Sequence, residues 1–404
     1  MNIVVLKFGG TSVGTIKKIK KVTEIIAEFK KKGYKLIVIS SAMSGVTNDL
    51  IKKSKEISKN FSESESDVLL SSGEQVACSL IAGCLLEKKI NSRSWLAWQI
   101  PIYTKGPYQN SRIQNISKKK LLKYLKEGGI PIITGFQGIN SMERMTTIGR
   151  GGSDATAIMI AKFFKAKRCI IYTDVEGIYT TDPNKLKNAK KIKTISYEEM
   201  LEMASLGSKV MQPVSIQDAR INRINVEVKW SFVKKEGTLI TKKSNIIKNK
   251  IVTGITSTQN DAKVTLIGVK DKPGVAASIF EPLSTNSINV DMVVQNISAN
   301  GKNTDITFTI KNDDLFKTKK IVKNNKKIDF KKLLFEKGVS KVSIIGVGMI
   351  TTPGVTFRMF RALADKKINI KVISTSEIKI SVLIDKKNTK KALIALHNEF
   401  KLDK

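Results

Sequence analysis

Four apolar runs set the rhythm of the first half of the chain. Ile3-Val4-Val5-Leu6, Leu36-Ile37-Val38-Ile39, Ile130-Pro131-Ile132-Ile133 and Cys169-Ile170-Ile171-Tyr172 have no polar face, the pattern of strands buried on both sides. Trp95-Leu96-Ala97-Trp98 and residues 225–230 are further strand candidates, the latter closing the first domain. Between them, residues 15–31, 67–89, 155–166, 196–204 and 208–220 have helical composition and spacing. Strands alternating with helices predict an α/β fold with a mainly parallel sheet. Residues 58–66 read as an exposed connector and residues 242–250 as a basic, polar linker.

Beyond that linker the chain repeats itself. Val264-Thr265-Leu266-Ile267-Gly268-Val269 recurs as Val342-Ser343-Ile344-Ile345-Gly346-Val347. Pro273-Gly274-Val275, Phe280, Leu283 and Ile288-Asn289 recur as Pro353-Gly354-Val355, Phe360, Leu363 and Ile368-Asn369. Each unit reads strand, Pro-Gly turn, helix, Ile-Asn turn, strand. The second continues with strands near 370–374 and 378–384 and a helix over 388–400. Each also has an extra strand in front, at 251–256 and about 330–335. A hairpin ahead of each repeat would make both units permuted α/β sandwiches, and modules this small should bury a face against each other.

Chemistry concentrates where strands end. Lys7-Phe8-Gly9-Gly10-Thr11-Ser12 joins the first strand to the first helix. A lysine, two glycines and two hydroxyls at such a turn suit a polyphosphate, with backbone N–H groups and a helix N-terminus facing its oxygens. The lysine precedes the glycines, so this is not a P-loop, and alone it is equally a tight turn with a surface lysine. A second glycine-rich stretch, Thr147-Ile148-Gly149-Arg150-Gly151-Gly152-Ser153-Asp154, ends a long loop and opens a helix with Ser153 or Asp154 as N-cap. Its Arg150 can fork onto a carboxylate or phosphate.

Three other stretches belong with these. Ser71-Ser72-Gly73-Glu74-Gln75 interrupts an apolar helix. Glu74 there lies either on a solvent stripe or against a cationic ligand, and Gly73 has no packing reason visible in the sequence. Residues 175–184 follow a strand, with Asp182-Pro183-Asn184 as turn chemistry and a tyrosine, threonines and an aspartate that could line a nucleotide. Gly207-Ser208-Lys209 puts a second lysine at a helix start.

Composition narrows the function classes. A chain of 404 residues implies two or three domains. The net charge of +36 comes from 62 lysines and nine arginines spread along the chain. Nucleic-acid binders concentrate arginines and aromatics on one face, so no nucleic-acid partner is expected. No stretch approaches the roughly 20 apolar residues of a membrane span, and no signal-peptide pattern opens the chain. Cys78, Cys84 and Cys169 form no C-x-x-C, and with a single histidine they exclude a recognisable zinc site or disulfide framework. A cytoplasmic setting is expected. His397, remote in sequence from these motifs, reads as structural, which makes an imidazole base unexpected.

Assembled in order, these motifs resemble aspartate kinases of the amino-acid kinase superfamily with two C-terminal ACT domains. The resemblance is carried by Lys7-Phe8-Gly9-Gly10-Thr11-Ser12-Val13, Ser41-Ala42-Met43, Gly73-Glu74, Gly149 to Asp154, Tyr172-Thr173-Asp174-Val175-Glu176-Gly177-Ile178-Tyr179 and Gly207-Ser208-Lys209. Val293-Val294-Gln295-Asn296 and Ile373-Ser374-Thr375-Ser376-Glu377-Ile378 look like strand ends of the regulatory modules. It implies a three-layer αβα kinase domain (residues 1–245) with a mainly parallel sheet, and two ferredoxin-like ACT domains (250–327 and 328–404). It also implies transfer of phosphate from ATP, with Mg²⁺, to the side-chain carboxylate of L-aspartate, on the route to lysine, threonine and methionine.

Site residues carry over by motif. Lys7 and Lys209 would meet the phosphates beside Phe8, Gly9 and Gly10, with Asp154 holding both lysines. Thr173, Asp174, Tyr179 and Asp182 would line the nucleotide. Arg150 would pair with the α-carboxylate of aspartate and Glu74 with its ammonium, with Thr47 and Ser153 hydrogen-bonding around it. Lysine or threonine would inhibit through the modules, using Gly274 and Gly354 at the Pro-Gly turns and Asn289 and Asn369 at the Ile-Asn turns. Asp271 and Asp291, present only in the first module, suit a cationic effector. Homo-oligomerisation through the ACT domains is expected. Val214 stands where relatives often carry arginine. The rival readings are a kinase of glutamate or N-acetylglutamate, which would lack the repeats, and an amino-acid sensor with an inactive kinase domain, which Lys7, Asp154 and Lys209 oppose.

Overall fold

Strands without a polar face need cover on both sides, and the first unit of the structure provides it. The computed structural model describes residues 2–207, 210–242, 250–297, 303–325 and 327–403. They form two compact units: Met1–Ile178 with Lys191–Ile247, and Tyr179–Lys190 with Lys248–Lys404.

The first unit runs β1 (Ile3–Phe8), α1 (Ile16–Lys31), β2 (Lys35–Ser40), α2 (Val46–Ile57), α3 (Glu63–Glu87) and β3 (Ser92–Trp95). There follow β4 (Ile102–Lys105), β5 (Arg112–Ile116), α4 (Lys119–Lys126), β6 (Ile130–Thr134), β7 (Gln137–Ile139) and β8 (Met145–Thr147). The rest is α5 (Gly152–Phe163), β9 (Arg168–Thr173), β10 (Thr194–Ser196), α6 (Tyr197–Ser205), α7 (Pro213–Asn222), β11 (Val226–Trp230) and β12 (Thr238–Thr241). The main sheet has the order β10-β12-β11-β9-β1-β2-β6-β3 and is parallel except where β11 meets β12.

Val4, Leu6 and Phe8 point to one face of β1 and join Ile19, Val22 and Ile26 of α1 and Ala77, Ile81 and Leu85 of α3 in one core. The alternation of a strand therefore sends Lys7 to the opposite face, where α5 lies against β1. From β1 the chain builds outward to β2 on one side and to β9 on the other. That reversal is a topological switch point, and open α/β sheets take ligands beyond the strand ends there.

Several expectations need correction. The strand expected at Trp95–Trp98 is β3, which ends at Trp95 where the chain turns. The long loop before Gly149 is instead the β7–β8 hairpin, part of a small sheet ordered β5-β4-β7-β8. Residues 58–66 are not all connector, because α3 begins at Glu63. Strand β11 does not close the domain: β12 pairs with it and with β10. The helix expected from 208 starts at Pro213, a residue that fits only the first turn. Helix α3 is long and apolar enough on average to cross a membrane. It is instead a core helix, with Asp67 and Glu74 buried among protein partners.

The second unit runs β13 (Gly254–Lys270), α8 (Val275–Thr285), β14 (Asp291–Ile297), β15 (Asn303–Lys311) and α9 (Leu315–Asn324). It continues with β16 (Lys332–Ile345), α10 (Val355–Ala364), β17 (Val372–Ser376), β18 (Lys379–Asp385) and α11 (Thr389–Glu399), in one sheet ordered β14-β15-β13-β16-β18-β17. The repeat is visible in the turns: Gly274 and Gly354 both cap their helices in the left-handed region, with φ of 88° and 83°. His397 is buried in α11 and hydrogen-bonds Thr180 Oγ1 at 3.0 Å, the structural role its isolation implied.

The expected hairpins ahead of each repeat are absent. Strands β13 and β16 each run straight on, so the front part of each pairs with the other module. Gly254–Thr258 lie along Lys341–Ile345, while Lys332–Glu336 lie along Lys263–Ile267. The first module is thus an ordinary βαββαβ unit closed by the front of β16, and only the second is permuted. Val252 and Ile255 accordingly sit in the core of the second module with Val342, Val355, Ile380 and Leu393.

Ile255→Ala should cost about 2–4 kcal/mol of stability through lost burial and an unfilled cavity. The loss should appear as faster amide hydrogen exchange in β18 and the latter half of β16. Protection lost only in β14, β15 and α8 would contradict the shared strand.

Candidate active site

Lys7 is the last residue but one of β1, in register with Ile39 of β2 and Ile171 of β9. An ammonium buried there needs a counter-charge, and α5 supplies it: Lys7 Nζ lies 2.6 Å from Asp154 Oδ1, with both residues buried. Helix α5 reaches this point because Gly149 and Gly151 take left-handed conformations, with φ of 79° and 78°. Gly151, not Ser153 or Asp154 as expected, is the N-cap. The helix starts two residues earlier than a side-chain cap would allow, and Asp154 is left for Lys7.

The turn after β1 is held by its own backbone. Gly9 N–H donates to Tyr172 O at 3.0 Å, so it is not open to a ligand as expected from the motif. Gly10 carries no such bond on its N–H, and its carbonyl accepts Ser44 N–H at 3.2 Å. A Cβ on Gly10 would lie 2.8 Å from Ala42 O, so only glycine lets the two loops meet. Phe8 is fully buried and stacks on Tyr172 at 4.9 Å; it contributes core, not contact surface.

Helix α3 crosses these loops at Gly73. A Cβ there would lie 2.9 Å from the Ala42 side chain, which is the packing reason the sequence alone does not reveal. Glu74 next to it is not on a solvent stripe: it is buried, and Oε1 accepts Ala42 N–H at 3.1 Å. Oε2 is buried without a hydrogen-bond partner. Burial pushes the Glu74 pKa up to about 7, against the Ala42 N–H and the Lys7 charge. A buried carboxylate oxygen with no donor is suited to a cationic group entering from outside.

Arg150 stands between the two left-handed glycines, exposed, and makes no ion pair among the described residues. Ser153 is buried in the first turn of α5 against Gly135, and Thr47 is half-buried in the first turn of α2. Thr173 ends β9, and its hydroxyl donates to Asp174 Oδ1, just beyond the strand, at 3.0 Å. Tyr179 and Asp182 lie on the stretch that belongs to the second unit, where Asp182 accepts Asn184 N–H at 3.0 Å in a turn. Lys209 and Ser208 lie outside the described residues. One residue was missed altogether: Asp67, fully buried, binds the backbone and hydroxyl of Thr147. An aspartate seven positions before Glu74 is the only trace of it in the sequence.

In the second unit Asp271 is exposed just before the Gly274 turn, and Asn289 and Asn369 are exposed beyond the C-terminal ends of the helices that Gly274 and Gly354 cap. Asp291 is already engaged by the buried Lys341. Partial burial raises its pKa, but the Lys341 hydrogen bond and charge prevail and hold it below the ordinary range.

Comparison with known proteins adds three findings. Residues 2–229 match the model of the amino acid kinase family, and residues 264–325 and 342–400 match that of the ACT domain. An aspartokinase of Bacillus sp. (strain MGA3) is 41% identical over 403 residues, spanning 100% of this chain and 98% of its own. Escherichia coli aspartokinase III is 25% identical in both of two crystal structures. One holds aspartate and ADP (R-state; TM-score 0.80), the other lysine and aspartate (T-state; TM-score 0.81), each covering 99% of this chain and 100% of that one.

The Glu74 carboxyl predicts a pH dependence of stability. Its folded pKa of about 7 lies above the ordinary 4.5, so stability falls as pH rises through that window and is level above it. Glu74→Gln should therefore gain on the wild type between about pH 4.5 and 7, by up to roughly 3 kcal/mol. Denaturant unfolding of both proteins across that range checks it; a constant difference would contradict the burial of the charge.

Proposed function

This chain belongs to the amino acid kinase family, among the aspartokinases that carry C-terminal ACT domains, and from that premise we propose how its residues divide the work. It transfers the γ-phosphoryl group of ATP to the side-chain carboxylate of L-aspartate, giving 4-phospho-L-aspartate and ADP. A bond forms between a carboxylate oxygen and phosphorus as the bond to the β–γ bridging oxygen breaks. The nucleophile is ionised at neutral pH, so no general base is needed, and the enzyme supplies position and charge.

The observation that carries this reading is the Lys7–Asp154 pair at the switch point. Asp154 aims the Lys7 ammonium, which meets the transferring phosphate with the Gly10 N–H beside it. Lys209, assigned by motif alone, adds the second charge. Thr173 and Asp174 line the nucleotide. The unpartnered Glu74 Oε2 takes the ammonium of aspartate and Arg150 its α-carboxylate, with Thr47 and Ser153 hydrogen-bonding between them. Among the described residues no three acidic, cysteine or histidine groups converge on a metal position. Mg²⁺ would accompany ATP and would neutralise phosphate charge during the transfer. Three free cysteines agree with a cytoplasmic setting.

Lys7→Ala should lower kcat by roughly 10²-fold or more while the aspartate KM changes little, as for loss of a preorganised charge. Acyl phosphate trapped with hydroxylamine measures it, and near wild-type kcat would remove Lys7 from the chemistry.

We assign the ACT modules to feedback inhibition by lysine, threonine or both, and to self-association. The E. coli relative binds lysine in its T-state. Backbone N–H groups after Gly274 and Gly354 would receive the effector's carboxylate. Asn289 and Asn369 lie past the far ends of the helices those glycines cap, so an asparagine at the effector's other end would come from another module. Because Asp291 is engaged by Lys341, Asp271 is the carboxylate left for a cationic side chain. Asp271→Ala should raise the half-inhibitory lysine concentration about tenfold at unchanged uninhibited kcat, within the usual coupling range. Unchanged lysine sensitivity would move the effector elsewhere, and a wild type indifferent to both amino acids would end the regulatory reading.

A further inference from the structure

Asp67 and Glu74 lie seven residues apart on α3, two turns along one face. Asp67 is fully buried and meets no cation among the described residues; neutral donors take both its oxygens. Thr147 Oγ1 donates to Oδ1 at 2.7 Å and Thr147 N–H to Oδ2 at 2.8 Å. Gln109 N–H reaches the two oxygens at 3.1 and 3.0 Å. Desolvation of this carboxylate is a standing cost, so its partners are strongly determined.

What hangs on Asp67 is the loop that bears Arg150. Thr147 O accepts Ser111 N–H at 3.0 Å, joining the Gln109 turn to β8 a second time. Gly149 packs so closely on that turn that a Cβ would lie 2.9 Å from Gln109 O. Among the described residues Arg150 has no ion pair of its own to hold it, so its placement is inherited from this backbone. At the other end of the same helical face, Glu74 is fixed by Gly73 and Ala42.

We propose that Asp67 is a positioning residue for substrate recognition: through Thr147 and Gln109 it sets Arg150 at a fixed distance from Glu74, so that α3 gauges the separation of the α-carboxylate and ammonium of aspartate. This rests on the assignment of Arg150 and Glu74 to those two groups.

Asp67→Asn keeps the shape but turns an N–H₂ towards N–H donors. The aspartate KM should rise about 10- to 100-fold, the range for a buried donor left unpaired, with the ATP KM within twofold and kcat within threefold. Thr147→Val should show the same pattern more weakly, and Thr147→Ser, which keeps the hydroxyl, should restore wild-type KM. If Asp67 acts through Arg150, the effects of Asp67→Asn and Arg150→Lys will not multiply in the double variant. A raised KM in Arg150→Lys with wild-type KM in folded Asp67→Asn, or in Thr147→Val should Asp67→Asn not fold, overturns the inference alone. Fully multiplying effects, or equal rises in both KM values with a matching loss of kcat, overturn it as well. A wild-type aspartate KM in Arg150→Lys overturns the assignment of Arg150, and the inference with it.

Discussion

An ammonium can be buried at the end of a central strand only if an opposite charge meets it there. Lys7 and Asp154 satisfy that condition at 2.6 Å, and breaking such a pair on one side typically costs about 3–5 kcal/mol. The pair is better understood as a constraint than as a source of stability, since an apolar pair in its place would fold as well. It obliges α5 to begin close against β1, which obliges two left-handed glycines just before the helix. Arg150 is exposed because it is caught between them. One electrostatic requirement thus accounts for the shape of the whole Gly149–Asp154 loop.

Helix α3 imposes the second constraint. Its missing Cβ at Gly73 lets it approach the loop after β2, and that approach removes Glu74 from water. The half-neutralised carboxyl is held by one N–H and open on its other oxygen. Such a group destabilises the empty protein at neutral pH, and a cation bound against it recovers that energy. Under the role proposed for Glu74, substrate affinity and folding stability would be the same free energy seen from two sides.

The second unit is shaped by strand length. Strands β13 and β16 have 17 and 14 residues, far more than one small module can use, and the surplus of each completes the other module. Register shifts between Thr258 and Lys263 mark where β13 passes from one module to the next. Two marginal cores become one interlocked body, and a change in one module is felt by the strands of both.

Continuous apolar runs, glycines beside charged residues and a repeat with constant internal spacing are local properties, and each was legible along the chain. They were enough for the parallel sheet, the switch-point loops with Lys7, Asp154 and Arg150, and the pair of βα modules. What they could not contain was any relation between distant segments. Glu74 is polar in sequence whichever side of α3 it faces; only the approach of Ala42, 32 residues earlier, made it a buried group. Asp67 shows nothing in the sequence beyond its seven-residue spacing from Glu74, because its partners at 109 and 147 are defined by folding. Asp291 reads as a free acid until Lys341, 50 residues on, is brought beside it. The hairpins expected before each repeat failed for the same reason: a strand's sequence records its alternation, but pairing depends on where the rest of the sheet leaves an open edge.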